Sequence, residues 1–132
     1  MAAADRPVDK PRPKYLNLIA IRQPIPAIAS ILHRATGAFL FLAGIPFLLW
    51  FVQRSLTSPE GFAAAMGPFG TPAGKLVVFV LAWCYFYHLI AGLRHLMLDL
   101  HIGIALAPAR ASAATVLVLA FVVALILAVR LW

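Results

Sequence analysis

The run LVVFVLAWCYFYHLIAGL, residues 76–93, decides how this chain is built. It contains no Asp, Glu, Lys or Arg over 18 residues. About 20 mostly apolar residues in a helix cross about 30 Å of hydrocarbon. Residues 35–52 form a second such run of 18, and residues 111–129 a third of 19. The chain as a whole agrees. Of its 132 residues 64% are hydrophobic and 11% are charged, against roughly 25% charged in a typical soluble domain. So few charges cannot cover a water-facing surface. The sequence therefore predicts an all-α membrane protein with three transmembrane helices in a single domain, residues 1–132. The helices are expected near 28–53, 74–101 and 110–131, with residues 1–27 as an N-terminal segment outside the membrane.

The flanks set the boundaries of these expectations. Pro24 and Pro26 oppose helix before residue 27, and Ser30 suits the first turn. Pro46 is placed to kink the first span. Residues 55–72 carry Ser58-Pro59, Gly61, Gly67-Pro68, Gly70 and Pro72, and read as a loop full of breakers. Pro108 marks the second turn. The first 22 residues are polar and proline-rich and lack the apolar core of a secretory signal, so the first span is expected to direct insertion itself.

The net charge of +7 does not point to nucleic acid, because the basic residues border the apolar runs and form no patch. Arg6, Lys10, Arg12, Lys14, Arg22, Arg34, Arg94 and Arg110 fall on one side of the three spans, and Arg54, Lys75 and Arg130 on the other. By the positive-inside rule the N-terminus is cytoplasmic and the C-terminus periplasmic, in a bacterial inner membrane. A single cysteine, Cys84, excludes an internal disulfide and a cysteine-ligated cluster.

Ionisable residues within spans are costly and mark pathways or cofactors. On the first span Ser30, His33, Arg34, Gly37, Phe41 and Gly44 recur at steps of three and four and share a stripe. On the second, Cys84, His88, Gly92, His95 and Asp99 do the same, with Ala91 alongside. The third span reads as scaffold. With about 1.5 Å of rise per residue, His33 is expected about 9 Å below the cytoplasmic surface, His95 about 10 Å and His88 about 21 Å. A b-type haem offers an iron that takes imidazole and propionates that seek cations. His88 in the apolar interior suits the iron, and His33, Arg34 and His95 suit the propionates. The depth gap between His33 and His88 implies that a second iron ligand comes from another subunit. Each of these residues also has a structural reading: a membrane histidine can hydrogen-bond a neighbouring helix, and Arg34 can snorkel. Asp99 can pair with Arg94 or simply end its helix. Tyr87 and its aromatic neighbours read as ordinary helix- or lipid-facing side chains.

Two motifs resemble one family. Arg12-Pro13, followed by Ser30-Ile-Leu-His33-Arg34-Ala-Thr36-Gly37, is similar to the N-terminal signature of the cytochrome b membrane-anchor subunit of succinate dehydrogenase. His88-Leu-Ile-Ala-Gly92-Leu-Arg94-His95-Leu-Met-Leu-Asp99 resembles its second signature, and the Ser58-Pro-Glu-Gly-Phe62 segment is similar to bacterial members. Lys14, Leu98 and His101 depart from the pattern; a small residue is common at the last position. The resemblance implies that His88 is an axial ligand of haem b, shared with a second anchor subunit. It further implies that Ser30 and Arg34 contact ubiquinone, and that His33 and His95 lie by the haem propionates. Asp99 is a candidate proton relay. The implied partners are an iron–sulfur subunit, a flavoprotein that oxidises succinate, the second anchor and the bilayer, with no succinate-oxidising site in this chain. Two alternatives stay open: an anchor of a quinol:fumarate reductase, and a haem-free structural or transport subunit.

Overall fold

A computed structural model describes residues 21–132, so the expected N-terminal segment lies outside the described residues up to position 20. The elements are α1 (Ile25–Phe39), a π-helical turn (Leu40–Gly44), α2 (Ile45–Thr57), α3 (Pro59–Met66), a 3₁₀ turn (Gly67–Gly70), α4 (Pro72–Asp99) and α5 (Leu106–Leu131). No strand occurs among the described residues. Three helical stretches are long and apolar enough to cross a membrane: Ile25–Thr57, Pro72–Asp99 and Leu106–Leu131.

The first span starts three residues before the expected boundary. Pro24 is the extended residue before it and Pro26 sits in the first turn, where a missing N–H removes no helical hydrogen bond. Ser30, expected to serve that turn, lies beyond it. At Leu40–Gly44 the helix widens, and the Ile45 N–H donates to the Leu40 carbonyl five residues back. Proline at position 46 lacks a donor and crowds the carbonyl four residues earlier, so one wider turn absorbs both defects. The helix then runs to Thr57.

Residues 55–72 are not the loop their breakers suggested, because two of the breaker pairs are helix starts. Ser58 Oγ accepts the Gly61 N–H at 3.0 Å with Pro59 in the first helical position. Thr71 Oγ1 accepts the Gly74 N–H at 3.1 Å with Pro72 in the same role. Both glycines are required for close approach. A Cβ on Gly61 would lie 2.6 Å from the Arg54 carbonyl oxygen, and one on Gly74 would collide with that of Pro68.

Helix α4 stops at Asp99, two residues short of expectation. The Ile102 N–H donates to the Met97 carbonyl and the His101 N–H to the Leu98 carbonyl, both at 2.9 Å. His101 adopts φ 62°, the left-handed position that glycine usually fills in this closing motif. Helix α5 begins four residues early. Pro108 falls within its first turn, where its absent N–H again costs nothing.

The three spans form a triangle in which α4 packs on both α1 and α5, and α1 also touches α5. Tyr87 and Ala91 of α4 meet Val116 and Ala120 of α5, flanked by Leu32, Trp83, Ile90 and Leu117. Ala29, Ala91, Ala113 and Ala120 are buried; such small residues let backbones approach where lipid removes the hydrophobic drive between helices. Tyr87 is no lipid-facing aromatic. Its hydroxyl donates to the Ala29 carbonyl of α1 at 2.9 Å, and Trp83 Nε1 donates to the Ala120 carbonyl of α5 at 3.2 Å. Helix α4 is thereby tied to both neighbours.

Candidate functional site

The sequence places His33 on α1, and His88 and His95 on α4, at positions that turn toward each other. Their imidazoles form one stack. His33 lies in the middle, 4.1 Å from His88 with an interplanar angle of 11°, and 4.7 Å from His95 at 19°. The expected separation of about 12 Å in depth between His33 and His88 is therefore wrong. Its error lay in the helix ends. Starting α1 at Ile25 rather than near residue 28 deepens His33 by about 4.5 Å, and ending α4 at Asp99 rather than near residue 101 raises His88 by about 3 Å. The corrected gap is about 4.5 Å.

One glycine makes the stack possible and a second lies under it. The His88 ring rests on Gly37 of α1, where an added Cβ would come within 2.6 Å of Cε1. In return the His33 ring lies over Gly92 of α4, where an added Cβ would stand 3.5 Å from Nε2. Each helix thus sets a histidine into a notch of the other. Gly44 continues the contact higher up, facing Leu81, whereas Phe41 of the same expected stripe is 69% exposed. The wide turn has rotated it off the face.

Hydrogen bonds orient the rings. His88 Nδ1 lies 3.0 Å from the His33 carbonyl and 3.5 Å from Thr36 Oγ1. His95 Nδ1 lies 2.7 Å from the Ala91 carbonyl of its own helix. A carbonyl only accepts, so Nδ1 is the donor in both rings, and in a neutral imidazole that leaves the lone pair on Nε2. Thr36 Oγ1 sits 2.8 Å and 3.0 Å from the carbonyls of Leu32 and His33 and caps the same patch of α1 backbone. The sequence reading assigned Thr36 no role. Its hydroxyl one residue before a helix-contact glycine was the available signal.

Ser30 and Arg34 stand one turn apart on α1, and Arg34 Nη2 donates to Ser30 Oγ at 3.3 Å. Arg34 is exposed and directly follows His33. Asp99 is exposed at the end of α4, one turn beyond His95. It does not hold Arg94. That side chain is 7% exposed; its Nε donates to Ser112 Oγ at 3.0 Å and its Nη2 to the Ala109 carbonyl at 3.2 Å, joining α4 to α5.

Metal-ligating histidines bind through one ring nitrogen while a carbonyl or carboxylate holds the other N–H. His88 and His95 both have that arrangement, and His88 alone is held by a carbonyl of the facing helix. Because the rings stack face to face and do not converge, no cluster of three His, Cys, Asp or Glu among the described residues is shaped to hold a metal ion. The donor set fits an iron that takes a single imidazole from this chain.

Three membrane-crossing helices with an imidazole stack set between two of them define a polytopic helical membrane subunit. Residues 8–127 match the family model of the succinate dehydrogenase/fumarate reductase transmembrane subunit. The chain is 38% identical over 101 residues to the succinate dehydrogenase cytochrome b556 subunit of Paracoccus denitrificans, covering 76% of this chain and 77% of that one. It is 34% identical over 123 residues to the subunit of that name from Coxiella burnetii, covering 92% and 97%. Rickettsia typhi supplies a third relative, 35% identical over 92 residues and 70% of each chain. The chain belongs to the succinate dehydrogenase/fumarate reductase transmembrane subunit family, as a membrane anchor of the cytochrome b type. The resemblance of its two motifs is borne out.

Proposed function

We propose that this chain supplies one axial ligand, His88, to a b-type haem shared with a second anchor subunit, and one wall of a site where electrons from succinate oxidation reduce ubiquinone. The observation that supports the ligand assignment is the 3.0 Å hydrogen bond from His88 Nδ1 to the His33 carbonyl of the facing helix, which turns Nε2 outward as the ligating nitrogen; His95 is bonded only to the Ala91 carbonyl of its own helix. When bound, the haem would supply one-electron redox chemistry, with His88 Nε2 as the nitrogen that would hold its iron. His33 packs against the ligand ring and fixes its plane. His33, Arg34 and His95 line the side that takes the propionates.

For the quinone, Ser30 provides a hydroxyl for a carbonyl oxygen, and Arg34 stabilises negative charge as that oxygen is reduced, an effect strengthened where water is scarce. The 3.3 Å bond between them holds the pair on one face before substrate arrives. Protons enter from the cytoplasmic side, with Asp99 at that end of α4 as relay. The complex brings a flavoprotein and an iron–sulfur subunit to the same side of a bacterial inner membrane. The family description spans both reaction directions; relative rates with ubiquinone and a low-potential menaquinone decide between succinate oxidation and fumarate reduction.

A reduced-minus-oxidised spectrum of the purified complex tests the haem assignment: a b-type band is expected, altered or lost in His88→Ala. A band that survives unchanged removes His88 as ligand. For the quinone site, Arg34→Ala is expected to lower succinate:quinone activity by about 10²-fold or more, with succinate oxidation by an artificial acceptor intact. Undiminished quinone reduction takes Arg34 out of the site.

A further inference from the structure

Between α4 and α5, away from the histidine stack, the structure has a cleft of about 350 Å³. Arg94 and Ser112 line it toward the connection of the two helices, and Ile90, Leu93, Val116 and Leu119 are among the side chains that line it farther in. Arg94 lies five residues before the end of α4, about 7.5 Å along the axis. Leu119 lies seven residues past Ser112, about 10 Å farther into the apolar layer. The cleft therefore has a cation near the membrane surface and hydrocarbon walls leading inward.

The cation lacks a counter-charge. Arg94 is 7% exposed, and the groups it bonds, Ser112 Oγ and the Ala109 carbonyl, are neutral. No ion pair to it occurs among the described residues, and Nη1 has no partner among them. A guanidinium held this far from water is costly without an anion. Arg110 adds a second positive charge at the same end of the helices. Leu93 and Leu119 are 55% and 44% exposed along the walls, surface that an alkyl chain would cover.

We propose that this cleft is a binding site for an anionic phospholipid, with the phosphate on Arg94 and Ser112 and one acyl chain along Ile90, Leu93, Val116 and Leu119. An anionic headgroup is selected over a zwitterionic one because it leaves the two arginines with no competing cation, in line with the lipid recognition of basic pockets between membrane helices. The site is separate from the haem and quinone assignments and depends only on the packing of α4 against α5.

The test uses the intact purified complex, stripped of lipid in detergent and titrated with phosphatidylglycerol, phosphatidylcholine or inorganic phosphate. Native mass spectrometry and thermal unfolding are the readouts. The wild type is expected to retain phosphatidylglycerol about fivefold or more over phosphatidylcholine, and to gain thermal stability from it that phosphate alone does not supply. Leu119→Trp, which fills the cleft without touching Arg94, and Arg94→Gln should each reduce retention to the phosphatidylcholine level. Leu125→Trp, exposed on another part of α5, should leave it unchanged. Equal retention of the two lipids by the wild type, full protection by phosphate, or undiminished retention in Leu119→Trp overturns the proposal. If Arg94→Gln fails to assemble, Leu119→Trp decides alone.

Discussion

At the scale of single residues, the site depends on Gly37 and one carbonyl oxygen as much as on its histidines. Gly37→Ala would force a Cβ to 2.6 Å from the His88 ring, and overpacking of this kind costs about 1–3 kcal/mol. The b-type absorption band should shift or disappear in that variant. Gly92→Ala, whose Cβ would rest at an ordinary 3.5 Å from His33, should keep a near-native band. Equal spectra for the two variants would show that the notch under His88 does not position it. Glu60 gives a residue-scale dependence on pH outside the spans. Its own backbone N–H and then the Ser58 hydroxyl hold its carboxyl below the usual range. The stabilisation of α3 is therefore present above the ordinary glutamate pKa of about 4.3 and is lost as pH falls through the lower folded value. An NMR titration of the Glu60 carboxyl carbon should give a midpoint below about 4.3, and Glu60→Gln should remove the pH response of α3. The histidines and Arg34 are legible in the sequence because ionisable groups are rare in a span, and Ser30 through the family motif it opens. The roles of Thr36 and the His33 carbonyl were not, since each depends on where the facing helix falls.

Among the elements, helix ends carried most of the differences between sequence and structure. Proline and glycine were read as breakers, yet at Ser58-Pro59-Glu60-Gly61 and Thr71-Pro72-Ala73-Gly74 they are parts of the same start signal: a hydroxyl cap, a proline in the first turn, and a glycine whose N–H is capped. The pattern is local and lies in the order of the residues, which composition alone does not reveal. At the end of α4 the signal is weaker: His101 stands where a small residue is common in the family, and it takes the left-handed position itself. Holding a non-glycine residue there costs about 1 kcal/mol. His101→Gly should raise the stability of the complex by about 0.5–1 kcal/mol, seen as a higher unfolding midpoint with the haem spectrum unchanged. A lower midpoint would mean that the His101 side chain contributes more than its backbone costs. The two-residue difference at this end, with a three-residue one at the start of α1, is enough to account for most of the expected depth gap between the histidines.

For the whole molecule, packing is set by small residues on α5 and by aromatic donors on α4. Ala113 is fully buried, so Ala113→Leu should push the spans apart and destabilise by about 1–3 kcal/mol. Ala111→Leu, on the exposed side of the same helix, should be tolerated; similar thermal stability of the two variants would contradict the triangular packing. The amino-acid sequence by itself determined that three helices cross a membrane, because backbone polar groups in hydrocarbon must pair within a helix and the apolar runs are long enough for no other solution. It also determined which residues are out of place there, because a charge or imidazole in lipid is costly wherever the helices lie. Only the tertiary structure decided that His88, His33 and His95 form one stack, that Tyr87 and Arg94 bind neighbouring helices, and that Arg94 closes on a cleft. Those facts follow from how the helices cross and where each one ends. A shift of two residues moves a side chain about 3 Å along the axis and about 200° around it, more than a hydrogen bond or a stacked ring tolerates.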